Sequence, residues 1–187
     1  MTGTLVIWVR HGESTWNRVG LMQGQTPWPR LTRRGRKQAQ EAAAKVARLG
    51  AQRILSSDLA RAFETAHIIG AHLGLAVGKT PLLRERSWGL YEGRSIELGT
   101  LADSSLAADD ALPRGESRDD VANRLRRLLP DLVDRTGPAI VVTHGDVLRQ
   151  ALRLWAPCSA ETKPLGNGCV LTMTLPLTAD PSCPSVS

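Results

Sequence analysis

Leu5-Val6-Ile7-Trp8-Val9-Arg10-His11-Gly12-Glu13 begins as an uninterrupted apolar run and ends in charged residues. The apolar residues are mostly β-branched or aromatic, which predicts a strand buried on both faces. Arg10 and His11 then fall at the carboxyl end of that strand, the edge at which open α/β sheets bind ligands. Gly12 lets backbone or ligand approach His11 closely, because it carries no side chain. Taken alone, the stretch is also compatible with a surface loop that contains a histidine.

A second stretch repeats this order of residues. Residues 139–146 read Ala-Ile-Val-Val-Thr-His-Gly-Asp, again an apolar run followed by His-Gly and an acid. In a parallel sheet the carboxyl ends of both strands lie at one edge. We therefore expect His11 and His144 to lie within reach of one small ligand.

These stretches belong to a series of motifs that resembles the signature of the histidine phosphatase superfamily, also called the phosphoglycerate mutase-like family. The motifs occur in the order Arg10-His11-Gly12-Glu13 with Asn17, Ser56-Ser57-Asp58-Leu59-Ala60-Arg61-Ala62-Phe63-Glu64-Thr65-Ala66, Leu83-Arg84-Glu85 with Gly89 and Glu92-Gly93, and Thr143-His144-Gly145. The resemblance covers nearly the whole chain. It implies an α/β fold, a three-layer α/β/α sandwich with a mainly parallel sheet.

The resemblance also implies an activity, a phosphatase that hydrolyses phosphate monoesters of small metabolites through a phosphohistidine. His11 would be the nucleophile and His144 an electrostatic partner. Glu85 would protonate the leaving oxygen and later activate water. The remaining matched positions would bind substrate: Arg10, Asn17, Gln23, Gly24, Arg61 and Gly145. The chain departs from the family pattern at residues 25–32, which weakens the assignment of Gln23 and Gly24.

The residue types suit this chemistry without a metal. A phosphate dianion repels nucleophiles, so its charge must be neutralised, and Arg10, Arg61 and His144 can do that. The sequence contains no His-x-His, no obvious carboxylate cluster and no phosphate loop ending in Lys-Ser/Thr, so we predict no metal and no cofactor. The carbonyl of Gly12 is a candidate to bind one nitrogen of His11 and so define its tautomer.

Two of these assignments have alternatives. Arg61 falls in the first turn of a predicted helix, where the helix N-terminus also favours an anion. It could instead form a structural salt bridge to Asp58 or Glu64. Glu13, only two residues after His11, is the alternative to Glu85 as the general acid when spacing in the sequence alone is considered.

Length and composition predict one domain over residues 1–176 and a disordered tail at 177–187. There is no apolar run of transmembrane length and no basic segment ahead of the first apolar run, so we expect a cytoplasmic protein without a membrane partner.

The chain has 3 cysteines, Cys158, Cys169 and Cys183, which we interpret as free thiols. The net charge of +6 favours anionic ligands. We nevertheless expect no nucleic-acid partner, because the arginine clusters lie on predicted helices, where solvent-exposed helix faces account for them. Oligomeric state cannot be predicted.

Hydrophobic periodicity predicts the remaining elements. Thr32 should cap a helix that runs to about Leu49 and is closed by Gly50. Ser57 should cap the next, from Asp58 to about His72, in which His67 and His72 match no motif. The further helices are Ser117–Val133, in which Pro130 should cause a kink or a break, and Asp146 to about Trp155. The further strands are residues 53–56 and 139–143, with a weak edge strand at 169–175.

Residues 81–115 have an irregular sequence, which predicts a lid or a segment that determines substrate specificity. In this segment Trp88 and Tyr91 could line the substrate pocket or pack in the core.

Two rival functions remain. A cofactor-dependent phosphoglycerate mutase would share the fold, although mutases of this kind usually carry a longer insertion before the second histidine. A non-catalytic binder of phosphorylated or nucleic-acid ligands would draw on the positive charge. The intact second histidine and acid are more than binding requires.

Overall fold

A computed structural model describes residues 3–133, 137–157 and 165–176. The described strands form one sheet in the order β3-β2-β4-β1-β5. These strands are β1 (Gly3–Arg10), β2 (Arg53–Ser57), β3 (Val77–Thr80), β4 (Ala139–Thr143) and β5 (Val170–Pro176). All neighbours pair in parallel except β5, which runs antiparallel to β1 at the edge.

Helices cover both faces of this sheet. They are α1 (Thr15–Arg18), α2 (Arg33–Val46), α3 (Ala60–Leu73), α4 (Ile96–Asp103), α5 (Arg118–Leu132) and α6 (Gly145–Trp155). Ile7 and Val9 of β1 pack in a cluster with α2 and α3, whereas Val6 and Trp8 pack in a cluster with α5 and α6. Successive side chains of a strand point to opposite faces, so one apolar run supplies both halves of the core. The predicted α/β/α sandwich with a mainly parallel sheet is confirmed.

Most predicted boundaries agree with the structure. Thr32 caps α2 by accepting a hydrogen bond from the Gly35 amide, and Gly50 follows in the left-handed conformation after a 3₁₀ turn, Ala47–Leu49. One predicted boundary was wrong: helix α3 begins at Ala60 rather than at Asp58, because Leu59 before it is still extended and no side chain caps the helix. Of the kink or break expected at Pro130, the break does not occur, since helix α5 continues through Pro130 to Leu132.

The irregular segment 81–115 holds more structure than its composition suggested. It contains α4 and two short 3₁₀ turns, Pro81–Leu83 and Gly89–Tyr91. Strand β3 just before it was also not predicted, because its four residues include Gly78 and Lys79 and show no apolar alternation. The predicted tail, together with Cys158 and Cys183, lies outside the described residues. Cys169 is a free thiol.

Candidate active site

The two predicted histidines meet because of the register between β1 and β4. Arg10 pairs with Thr143 in parallel, so the next residue of each strand leaves the sheet at the same level. The His11 amide donates to the Thr143 carbonyl at 2.9 Å. The rings of His11 and His144 lie 5.1 Å apart, centre to centre, and both are buried. The predicted convergence on one edge is confirmed.

His11 is held in one tautomer by the backbone. Its Nδ1 lies 2.7 Å from the Gly12 carbonyl, which can only accept a hydrogen bond. Nδ1 therefore carries the proton, and Nε2 keeps its lone pair in the neutral ring. Burial, with smaller effects from Arg61 and Arg10, holds the pKa of His11 well below its usual value. The ring is thus neutral near pH 7, the form in which it can act as a nucleophile.

Gly12 is required by the neighbouring backbone. A Cβ at this position would overlap the carbonyl of Gly35 in α2. The Gly12 amide donates to Thr65 Oγ1 at 3.1 Å, and that hydroxyl in turn donates to the Arg61 carbonyl at 2.8 Å. The turn after β1 is therefore tied directly to α3, which carries Arg61.

Arg61 is fully buried, and two loop carbonyls orient it. Its two terminal nitrogens donate to Thr26 at 3.0 Å and Gly24 at 2.8 Å. Within the described residues its Nε has no hydrogen-bond partner. Burial lowers the pKa of Arg61 to about 10, which still leaves it charged at neutral pH.

The salt-bridge alternative for Arg61 is wrong. Asp58 binds Arg84 at 2.6 Å, and Glu64 binds Arg36 at 2.7 Å, so both carboxylates are committed to other arginines. Arg61 instead lines the same cavity as His11.

Arg10 also lines the cavity that contains His11. One of its terminal nitrogens donates to the Leu165 carbonyl, and its buried Nε has no partner among the residues that the structure describes. Burial lowers the pKa of Arg10, although Glu85 opposes this. One half-buried and one fully buried guanidinium group thus line the same cavity as His11.

His144 begins α6 and contacts a residue that the sequence did not single out. Its Nε2 lies 2.8 Å from the hydroxyl of Ser57, at the end of β2. Its Nδ1 is buried and makes no hydrogen bond within the described part of the chain. Burial, and then the charge of Arg61, lowers the pKa of His144 well below its usual value. Ser57 was expected to cap a helix; it orients this ring instead.

Glu85 reaches the site from the segment after β3. Its carboxylate accepts hydrogen bonds from the amides of Gly145 at 3.0 Å, Asp146 at 3.2 Å and Arg86 at 3.0 Å. Burial, and then the charge of Asp146, raises the pKa of Glu85 to about 7. The carboxyl can therefore hold a proton near neutral pH, as a general acid must.

The rival carboxylates are engaged elsewhere. Glu13 accepts a hydrogen bond from Thr32 Oγ1 at 2.7 Å and does not line the cavity. Glu92 accepts hydrogen bonds from the Gln25 amide at 2.9 Å and Thr26 Oγ1 at 2.8 Å, so it clamps the loop that carries Gly24. A Cβ on Gly24 would overlap this carboxylate.

A cavity of about 390 Å³ is lined by Arg10, His11, Arg61 and Glu85, whereas His144 does not line it. Asn17, Gln23 and Gly24 line it, as predicted. Asn17 Oδ1 accepts a hydrogen bond from the Ser14 amide at 3.1 Å, and Gln23 Oε1 accepts one from the Ser14 hydroxyl at 2.7 Å. These two side chains therefore shape the loop as well as the wall.

The outer wall comes from segment 81–115 and from α5 and α6. Trp88 both lines the cavity and packs against Met22 and Leu112, so it has both of the positions that were considered for it. Tyr91 packs against the same small cluster but does not line the cavity. Ion pairs hold this wall, with Asp103 bound to Arg86 at 2.9 Å and to Arg118 at 2.6 Å. None of these charges was singled out from the sequence, because no local pattern links them.

Comparison with known proteins agrees with this geometry. The family model of the histidine phosphatase superfamily, branch 1, matches residues 6–175. A probable phosphoglycerate mutase of Proteus mirabilis is 37% identical over 169 residues, covering 83% of this chain and 77% of the relative. One of Serratia proteamaculans is 33% identical over 175 residues, covering 88% and 81%.

Solved structures are similar over nearly the whole chain. A mycobacterial glucosyl-3-phosphoglycerate phosphatase superposes with a TM-score of 0.78 at 31% identity, covering 90% of this chain and 92% of that one. A putative α-ribazole-5'-phosphate phosphatase from Escherichia coli superposes with a TM-score of 0.79 at 25% identity, covering 91% and 90%.

Fold, site and comparisons together define an α/β enzyme of the phosphatase or mutase kind. The chain belongs to the histidine phosphatase superfamily, branch 1. None of the helices within residues 3–133, 137–157 and 165–176 has the length and hydropathy needed to cross a membrane.

Proposed function

We propose that the protein is a metal-independent phosphatase that hydrolyses phosphate monoesters of small metabolites through a phosphohistidine on His11. One observation carries the proposal. The neutral His11, with its Nε2 lone pair free, shares one cavity with the half-buried Arg10 and the fully buried Arg61, and Glu85 in the same cavity can hold a proton.

The first chemical step transfers the phosphoryl group to the enzyme. Nε2 of His11 attacks phosphorus, and the bond between phosphorus and the ester oxygen breaks. Glu85 donates its proton to that oxygen, which leaves as an alcohol. The unpartnered Nε atoms of Arg10 and Arg61, together with Nδ1 of His144, stabilise the equatorial oxygens, whose charge must be neutralised in the transition state.

The second step returns the enzyme to its starting state. Glu85, now a carboxylate, takes a proton from a water molecule, whose oxygen attacks the phosphorus. The bond to Nε2 breaks and inorganic phosphate is released. A pKa of about 7 suits both roles, because the group can give and take a proton near neutral pH.

The alternative is a phosphoglycerate mutase, which the names of the curated relatives favour. A mutase would pass the phosphoryl group from His11 back to a second hydroxyl instead of to water. The short stretch between Gly93 and Glu116 and the names of the two phosphatase structures described above favour hydrolysis, although another similar structure is named a phosphoglycerate mutase.

Product analysis distinguishes the two functions. The enzyme is given p-nitrophenyl phosphate and a panel of phosphorylated metabolites, including 3-phosphoglycerate, with excess EDTA. We expect inorganic phosphate and no 2-phosphoglycerate. Formation of 2-phosphoglycerate, stimulated by catalytic amounts of 2,3-bisphosphoglycerate, would establish the mutase, and activity that EDTA abolishes and a divalent ion restores would refute the histidine mechanism.

A further inference from the structure

Helix α6 presents one polar face to the cavity. Asp146, Arg149, Gln150 and Arg153 all line it, at the spacing of one helix face. Residues between them, such as Val147, Leu148 and Ala151, are buried in the core with β1 and α5. The core contacts therefore determine which side of α6 turns toward the site.

Arg149 lies next to the phosphate-facing arginine of β1. A Cβ placed on Gly145 would stand 3.4 Å from the Arg149 Nη1 and 3.5 Å from the Arg10 Cζ. Both guanidinium groups thus border the same glycine. Their charges repel, and the proximity of Arg149 is one reason why the pKa of Arg10 is lowered, after burial.

Arg153 follows Arg149 by one helical turn, on the same face. Like charges at this spacing destabilise a helix slightly. Asp146 binds Arg149 at 3.0 Å, but Asp146 also lies 3.5 Å from Arg86. Arg153 has no ion pair among the residues of the described segments. Asp146 is therefore the one carboxylate on this face of α6, which carries two arginines.

The opposite wall also has one carboxylate for two arginines, but there the carboxylate binds both of them. Asp103 binds Arg86 and Arg118, and Arg86 is almost fully buried. The side chain of Arg149, by contrast, is 52% exposed, and Arg153 has no ion pair within the described residues, so both guanidinium groups can turn toward a ligand. The arginines that are available to a ligand in the outer cavity therefore lie on α6.

We propose that Arg149 and Arg153 bind a second anionic group of the substrate, on the skeleton next to the phosphate ester. The preferred substrates are then phosphorylated acids rather than phosphates of neutral alcohols. A guanidinium presents a planar set of donors that matches a carboxylate. The inference rests on the proposed function, because it extends the same site outward.

A matched pair of probes tests it. D-3-phosphoglycerate and sn-glycerol 1-phosphate share a primary phosphate ester and the spatial arrangement at C2, and they differ in a carboxylate against a hydroxymethyl group. At constant ionic strength, we expect a kcat/KM ratio of at least about tenfold in favour of 3-phosphoglycerate, the scale of one hydrogen bond to a charged group. A wild-type ratio near one would overturn the inference and leave the proposed function intact, provided that phosphate is released.

Variants assign the preference to α6. Arg149→Gln and Arg153→Gln should each reduce the ratio, Arg149→Lys should keep part of it, and Arg127→Gln, an exposed arginine on α5 away from the cavity, should leave it unchanged. Because the readout is a ratio, a variant that loses activity on both probes equally contradicts the inference.

Binding gives a readout that is independent of turnover. Calorimetry with the His11→Ala protein should show tighter binding of D-3-phosphoglycerate than of sn-glycerol 1-phosphate, and Arg149→Gln in that background should remove the difference. Equal binding of the two probes would overturn the inference. If the preference in binding is present but the wild-type protein releases no phosphate, even from p-nitrophenyl phosphate, the proposed function fails and the anion site stands.

Discussion

The deep end of the cavity and its outer wall are built in different ways. At the deep end, backbone groups hold the functional side chains: the Gly12 carbonyl holds His11, loop carbonyls hold Arg61, and helix amides hold Glu85. At the outer wall, side chains hold one another, as Asp103 does with Arg86 and Arg118. Backbone contacts persist when neighbouring side chains change, whereas ion pairs need both partners. We therefore expect the chemistry to take place at the deep end and the choice of substrate to depend on the wall.

The largest effect is expected at the nucleophile. His11→Ala should reduce turnover by about 10⁶-fold, the scale on which a nucleophile acting with its partners contributes. In the wild-type protein, brief reaction with labelled substrate and an alkaline quench should trap an acid-labile phosphohistidine. His72→Ala, an exposed histidine on α3, serves as the control. Label on a serine or aspartate would contradict the assignment of His11.

The next effect concerns Glu85 and depends on the leaving group. Glu85→Gln should slow phosphorylation by alkyl phosphates by about 10²–10⁴-fold, the usual contribution of a general acid. The loss should be much smaller with p-nitrophenyl phosphate, whose leaving group hardly needs a proton. Single-turnover kinetics are required, since dephosphorylation needs the same carboxylate as a base.

Glu13, the other carboxylate considered for the general acid, provides the control for Glu85. Glu13→Gln should leave the difference between leaving groups as it is in the wild-type protein, because Glu13 lies outside the cavity. Equal losses on both leaving groups in Glu85→Gln would mean that Glu85 shapes the pocket without transferring a proton.

A smaller effect is expected at His144. His144→Ala removes one buried donor to the phosphoryl oxygens, so formation of the phosphoenzyme should slow by about 10²–10³-fold. Ser57→Ala should slow it less, since Ser57 acts only through the ring that it contacts. Rapid-quench measurement of phosphohistidine on His11 reports this step directly. A larger loss in Ser57→Ala than in His144→Ala would reverse the assignment.

The smallest effect connects the wall to the deep end. After burial, the charge of Asp146 is the next cause that raises the pKa of Glu85 to about 7. The acid must be protonated, so phosphorylation by an alkyl phosphate falls as the pH rises through this pKa. Asp146→Asn removes the negative charge and keeps the amide that binds Glu85. The high-pH limb of the plot of phosphorylation rate against pH should therefore move to lower pH, by on the order of one unit or less.

A matched variant controls for general changes in charge. Asp119→Asn alters an exposed carboxylate in the first turn of α5, as Asp146 lies in the first turn of α6. It should leave the pH profile unchanged. A limb that stays in place or moves to higher pH in Asp146→Asn would show that Asp146 does not act on Glu85.

The sequence by itself determined the sheet edge and the residues that meet there. Two apolar runs ending in His-Gly predict parallel strands with their histidines at one level, and the Arg10–Thr143 register confirms it. This was possible because strand burial and the position of strand ends are local properties of the chain. The family motifs added Arg61 and Glu85, which line the same cavity as His11, although their chemical roles stay predictions.

Only the tertiary structure decided the partners of these residues. Ser57 was expected to cap a helix and instead contacts His144, 87 residues away in sequence. The pairing of Asp103 with Arg86 and the position of Arg149 beside Arg10 likewise depend on how α4 and α6 pack. Such contacts join side chains from distant elements, and their charges follow no periodicity. Their geometry is set by packing of the whole core, which no single stretch of sequence contains.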